Sequence, residues 1–401
     1  MNKTNYDIAI IGGGIVGTAT AFTIQDKYPN LKIVVFEKEK ELAYHQSGRN
    51  SGVIHSGLYY NPESKKAKNC IRGRKLLVEF AKQNNISYDV CGKLVVAVND
   101  EESYRLEQLK INGEKNGLIG LKLLNSEEIK IIEPHVVGLK ALQVPEAGII
   151  DYKQVTKKLA EKLKLINTNS RVITNCKVLD YNNDNIKTSR GNFKAHHIIF
   201  CGGLFSDRLA VNDGLNLDFK IVGFRGDYYK LVENAKSKVN HLIYPVPNPD
   251  FPFLGVHFTR MCNGDIECGP NAVFTFKREG YNRSDFSFKD TFDALKFSGT
   301  QKLFINQWKF GLNEYKRAFS KSLFLKQLQK MIPLLEMRDI VKGRSGVRAI
   351  ALQSNGEILD DFLIVKNNKN IHVLNAPSPA ATACLAIGEE VMRVSKEYFK
   401  L

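Results

Sequence analysis

The chain lacks cysteine pairs at metal-binding spacing. Seven Cys stand at 70, 91, 176, 201, 262, 268 and 384, and none belongs to a Cys-x-x-Cys. An odd, scattered set of this kind argues against a disulfide framework and predicts reduced thiols. The adjacent His196-His197 does not supply four ligands either, so no metal is expected. Long apolar runs are missing too: no uninterrupted stretch reaches the ~18–20 residues of a membrane span. A strand-like run starts at Tyr6 with no charged lead, apolar run and cleavage site ahead of it, which predicts a cytoplasmic protein and leaves peripheral membrane contact open. Low-complexity tracts are absent, and 43% hydrophobic content over 401 residues suits sizeable cores in two domains.

Acidic residues are in deficit, with 42 Asp/Glu against 58 Lys/Arg, a net +16. Lys is spread through the whole chain, so most of this charge belongs to a solvated surface. One segment departs from that background. Residues 274–330 carry twelve Lys/Arg against five Asp/Glu, a net +7, interleaved with aromatics from Phe274 to Phe324. Basic residues among aromatics suit an anionic membrane surface, and helices with aromatic core faces explain the same pattern. Nucleic acid is not expected as a partner.

The N-terminus reads as a dinucleotide-binding unit. An apolar run, Tyr6 to Ile11, leads into Gly12-x-Gly14-x-x-Gly17, which opens a helical pattern to about Lys27. Gly12 permits the tight turn, Gly14 allows close approach of a diphosphate, and Gly17 lets helix and strand pack while the helix N-terminus faces the anion. A second strand ends at Glu37, 20 residues beyond Gly17, where a carboxylate can accept from a ribose 2′-hydroxyl and would repel a 2′-phosphate. Lys38 follows it.

Eight residues later comes His45-Gln46-Ser47-Gly48-Arg49-Asn50-Ser51-Gly52-Val53-Ile54-His55-Ser56-Gly57-Leu58-Tyr59-Tyr60. Small residues and hydroxyls at Ser47, Asn50 and Ser51 suit a pyrophosphate, and the run carries the chain beneath a reactive ring. This points to flavin rather than nicotinamide and puts the chemistry near His55. Further on, the chain returns to nucleotide-domain style. Arg171 to Thr174 reads as a strand at Val172, and Ala195 to Phe200 runs into Cys201-Gly202-Gly203 ahead of a helix. Asn375-Ala376-Pro377-Ser378-Pro379-Ala380-Ala381-Thr382 precedes a helical run from about Ala383 to Val394, whose positive end would face a reduced flavin.

Between these segments, 63–83 and 100–133 read as helical, the latter broken near Gly117 to Gly120, and Asp151 caps a helix to about Leu165. Residues 216–270 hold strand-like runs, Lys220 to Val222, Asp227 to Val232 and Phe253 to Phe258, which predict an antiparallel sheet. The expected fold is α/β: a Rossmann-like FAD-binding domain (1–90, 145–215 and 335–401) interleaved with an α+β substrate domain (91–144 and 216–334).

The glycine unit with Glu37, the His45 to Tyr60 run, Gly223 to Tyr229, His257-Phe258-Thr259-Arg260 and Asn375 to Thr382 together resemble the L-2-hydroxyglutarate dehydrogenase/oxidase family of FAD-dependent oxidoreductases, in the D-amino-acid oxidase-like superfamily, over nearly the whole chain. Asp227 stands where that family would have Glu. The resemblance implies non-covalent FAD and oxidation of (S)-2-hydroxyglutarate to 2-oxoglutarate, with electrons leaving for a quinone or oxygen. Its cofactor contacts would include Pro379, Ala380, Ala381, Thr382 and Gly202.

The residues support such chemistry on their own. A base must take the hydroxyl proton, and the unperturbed pKa of His, about 6.5, makes His55 and His257 the candidates. A dicarboxylate needs bidentate cations, for which Arg260 and Arg348 are the choices, with Tyr60 and Tyr228 as phenolic donors. If His257 to Arg260 is a regular strand, Arg260 takes the opposite face from His257. A related flavoprotein acting on glycerol 3-phosphate, an amino acid or an amine, and a non-catalytic flavin- or nucleic-acid-binding protein, are the alternatives.

Overall fold

The computed structural model describes residues 5–248 and 255–401. Two large sheets and one small one organise the chain. The first sheet is built on Asn5–Ile11, whose neighbours Gly191–Phe200 and Ile33–Phe36 both run parallel to it. Arg171–Ile173 extends it beyond Ile33–Phe36, and Asn370–Asn375 joins the far half of Gly191–Phe200, again in parallel. The central strands are buried on both faces, which is why they read as continuous apolar runs rather than alternating ones. The helices Ile15–Lys27, Tyr152–Ile166 and Cys384–Phe399 cover the sheet. Gly388 allows two of them to touch: a Cβ there would lie 2.9 Å from the Ala19 carbonyl oxygen.

The second sheet has nine strands, in the order Val273–Phe274, Phe219–Leu231, Ile266–Gly269, His257–Arg260, Leu242–Pro245, Lys93–Ala97, Lys140–Val144, Lys122–Asn125, with Ile340–Gln353 along the other side of Phe219–Leu231. All pairings are antiparallel except Leu242–Pro245 with Lys93–Ala97. The runs at Lys220 and Asp227 are parts of one 13-residue strand, and the stretch expected from Phe253 starts outside the described residues and is a strand from His257.

Three expectations change. The stretch 100–133 is not helical throughout: Lys122–Asn125 is a strand between the helices Asp100–Lys115 and Ser126–Ile132, held by pairing with Lys140–Val144, a partner that local periodicity cannot reveal. Ile340–Gln353, placed with the nucleotide segments in sequence, is a strand of the second sheet, in register with Phe219–Leu231 from Phe219↔Gln353 to Leu231↔Ile340. The second sheet also draws strands from well outside 216–270. A third, three-stranded sheet of Val53–Ile54, Gly148–Ile150 and Tyr88–Asp89 lies where the chain passes from one large sheet to the other.

Candidate active site

One cavity of about 810 Å³ runs from Glu37 and Lys38, past Gly12, Gly14 and Gly17, to His55, His257 and Arg348. Its size is near the upper end for small-molecule sites and suits a dinucleotide with a substrate beside it. The glycine turn is a true cradle. Gly12 has φ +118°, and a Cβ on it would meet the Cys201 carbonyl oxygen at 2.3 Å; on Gly17 it would meet the Gly12 oxygen at 2.0 Å. The helix Ile15–Lys27 begins at Gly14 without a side-chain cap, and Ser47 Oγ accepts from Ile15 N at 2.9 Å. Backbone donors, a helix N-terminus and a hydroxyl therefore converge where a diphosphate would lie.

At the ribose end, Glu37 is buried and accepts from Gly13 N (2.8 Å) and Glu39 N (2.9 Å). Lys38 Nζ pairs with Glu279, and His45 Nε2 contacts Glu39 (3.0 Å) and Glu279 (3.1 Å) while Nδ1 meets Tyr281 Oη at 2.6 Å. This network ties the 279–281 segment to the residues that follow Ile33–Phe36 of the first sheet. Glu39, His45 and Glu279 also form the one metal-type cluster among the described residues. The Lys38 ammonium already neutralises part of its charge. All seven cysteines are free.

Asn50, Ser51, Gly202, Pro379, Ala380 and Ala381 line the cavity. Val172 does not. It packs with the core of the first sheet, and the neighbouring Cys176, Lys177 and Val178 reach the cavity instead, because the strand ends at Ile173 before the chain turns inward. Thr382 is also absent from the lining. Fully buried, its Oγ1 accepts from His55 N (3.1 Å), lies 2.8 Å from Tyr152 Oη and reaches the Val53 oxygen (3.3 Å). It ties Val53–Ile54 and the adjoining His55 to the start of Cys384–Phe399, one step behind the cavity wall.

At the far end, His55, Tyr59, Tyr60, Lys66, Tyr228, Tyr244, His257 and Arg348 surround the remaining space. His55 Nε2 lies 3.5 Å from Ser378 Oγ. The His257 ring stacks on Tyr244, with centroids 4.0 Å apart at 20°, and Nδ1 donates to the Gly255 oxygen at 2.9 Å. That bond fixes the tautomer and leaves Nε2 as an acceptor. Burial pushes both imidazoles down to about 3; Lys93 and His257 add to the shift of His55, and Arg348 and Lys93 to that of His257. Both rings are neutral proton acceptors at ordinary pH.

Arg260 does not reach this site. As strand alternation requires, it takes the face opposite His257, and its half-exposed guanidinium pairs with Asp89 (3.1 Å) and donates to the Asn240 oxygen (3.2 Å). Asp227 pairs with Arg225 at 2.9 Å and its backbone N–H donates to Asn271 Oδ1 at 2.7 Å, so the shorter acid is accommodated within the sheet. Three residues escaped the sequence reading. Lys66 pairs with Asp360 (2.6 Å) at the cavity, Tyr244 forms its wall, and Lys93 lies just behind that wall. The legible signal was a charged residue opening the apolar strand Lys93–Ala97.

Comparison with known proteins agrees with this geometry. A family profile described as FAD dependent oxidoreductase matches residues 7–393. The L-2-hydroxyglutarate dehydrogenase of Indibacter alkaliphilus is 47% identical over 96% of this chain and 98% of its own length. That of Escherichia coli K12 is 43% identical over 96% of this chain and 92% of its own. Among solved structures, the FAD-bound L-alpha-glycerophosphate oxidase of Mycoplasma pneumoniae superposes with a TM-score of 0.78 at 25% identity, covering 97% of this chain and 94% of that one. With a glycine cradle, a ribose-end carboxylate and a cavity that continues to paired histidines, the chain belongs to the FAD-dependent oxidoreductases and, within them, to the L-2-hydroxyglutarate dehydrogenase family.

Proposed function

We propose that the protein oxidises (S)-2-hydroxyglutarate to 2-oxoglutarate with bound FAD, and that the end of the cavity bounded by His55, His257 and Arg348 receives the substrate. The observation that carries this reading is the pair of neutral imidazoles facing a cationic wall at the end of the dinucleotide cradle. Gly12, Gly14, Gly17, Glu37, Lys38, Ser47, Asn50, Ser51, Gly202 and Pro379 to Ala381 would hold FAD, which would supply the acceptor for the hydride of the C–H bond. His55 takes the hydroxyl proton, and His257, its tautomer fixed by Gly255, orients the hydroxyl. Arg348 binds the carboxylate next to the reacting carbon, with Tyr60 and Tyr228 as donors.

Electrons leave for a membrane quinone in preference to oxygen, and the protein is cytoplasmic, docked peripherally on the inner face of the cell membrane. The support is the surface of 274–330. Phe288 is 84% exposed, Phe292 69%, Trp308 56% and Phe319 67%, amid a net +7 charge. Among the described residues no helix is long and apolar enough to cross a membrane.

Anaerobic mixing tests the assignment. (S)-2-hydroxyglutarate is expected to bleach the flavin, with glycerol 3-phosphate and amino acids inactive. Bleaching by one of those alone would move the protein to another branch of the superfamily.

A further inference from the structure

Lys93 is the buried charge that neither the cofactor cradle nor the proposed proton transfer uses. It is 2% exposed, and no carboxylate pairs with it among the described residues. It opens the strand Lys93–Ala97, whose alternate residues Val95 and Ala97 pack in the cluster that also holds Val53, Leu58 and Tyr244. Alternation therefore turns the Lys93 side chain toward the His45 to Tyr60 run. Its Nζ lies 4.3 Å from the centroid of the Tyr59 ring and 5.0 Å from that of Tyr244, and both rings line the cavity. The Tyr59 hydroxyl is itself buried with no hydrogen-bond partner.

A buried ammonium that has only aromatic faces around it, next to a phenol hydroxyl without a hydrogen-bond partner, is costly unless an outside group completes the pair. We propose that Lys93, with the Tyr59 hydroxyl, receives the second carboxylate of the substrate, the one remote from the reacting carbon, and so selects dicarboxylic over monocarboxylic hydroxy acids. This rests on the reading of the substrate as a small hydroxy acid held by Arg348 at its other end. Tyr244 couples the two ends: the Lys93 ammonium lies over its ring, and the same ring stacks on His257. Burial lowers the Lys93 ammonium to about 7, so an arriving anion has a proton to hold in place.

The test uses the FAD-loaded protein and two unreactive probes, glutarate and pentanoate, which differ in one terminal carboxylate. Binding is read from the perturbation of the flavin absorbance. The wild type is expected to prefer glutarate by at least about 10-fold, as a buried charge pair would give. Lys93→Met is expected to bring the two probes within about 3-fold of each other by weakening glutarate alone. Equal weakening of both probes, or a preserved preference, overturns the proposal. Tyr59→Phe removes only the hydroxyl and serves if Lys93→Met fails to retain flavin: it should weaken glutarate selectively, and an unchanged preference again overturns the proposal. Because neither probe is oxidised, the outcome is independent of whether (S)-2-hydroxyglutarate bleaches the flavin, so failure of the assigned reaction and failure of the Lys93 role are read separately.

Discussion

His55 and His257 differ in how firmly each ring is held. The His257 ring is fixed by Gly255 and Tyr244, while among the described residues the His55 ring has a long contact to Ser378 as its one hydrogen-bond partner, although its backbone is anchored by Thr382. A base must approach and release a proton, so His55→Asn is expected to slow flavin reduction at saturating substrate by about 10²-fold or more, and His257→Asn by less. An unchanged rate in His55→Asn would remove it as the base. The pH dependence follows from the signs of the shifts. With both imidazoles lowered to about 3, acidification through the ordinary histidine range does not protonate them, so reduction at saturation should stay flat there. Lys93, lowered to about 7 by burial and facing Tyr59, Tyr244 and Cys70, loses its charge as pH rises through that value, so the half-saturating substrate concentration should climb on the alkaline side. Stopped-flow reduction across pH separates these two behaviours.

Two ties decide how the elements meet at the site. Thr382 joins the start of Cys384–Phe399 to Val53–Ile54 and His55, and Thr382→Val keeps its shape while stranding the His55 N–H; the Tyr152 hydroxyl keeps its bond to the Val53 oxygen. That change should destabilise the protein by about 1–3 kcal/mol and slow reduction as well, since His55 would no longer be held from behind. Melting followed by flavin release, together with the reduction rate, measures both. Arg344 makes the second tie. It grips Glu267 through two bonds (2.8 and 3.0 Å) and donates to the Gly48 oxygen (2.9 Å) and the Asn50 oxygen (2.6 Å), pinning the signature run to the second sheet. Arg344→Met leaves the buried Glu267 unpaired and is expected to cost about 3 kcal/mol, part of it regained with Glu267→Gln in the same chain. No recovery in the double variant would place the loss in the Gly48 and Asn50 contacts instead.

On the scale of the whole molecule, the helices Phe288–Leu295 and Trp308–Phe319 present exposed aromatics within the basic 274–330 segment. The protein should sediment with anionic vesicles at low salt and be released as salt rises, and Phe288→Ser with Phe292→Ser should weaken the association without changing flavin reduction. Protein remaining in the supernatant with such vesicles would remove the membrane-quinone reading. Short-range signals determined much of the rest. The strand, glycine turn, helix and Glu37 lie within 33 residues of chain, and each is fixed by backbone geometry and local periodicity, so the cofactor half was legible before any contact was known. Asp151 likewise announces its helix by capping it. What tertiary structure alone decided depends on pairing between distant segments. Lys122–Asn125 and Ile340–Gln353 are strands of the second sheet through partners that no local pattern names, Arg260 is turned away by the pleat of its own strand, and Thr382 retreats behind the wall it was expected to form. Lys93 acquires its place in the same way: the sequence shows a lysine opening an apolar strand, and only the packing of that strand against the His45 to Tyr60 run makes it a buried charge awaiting an anion.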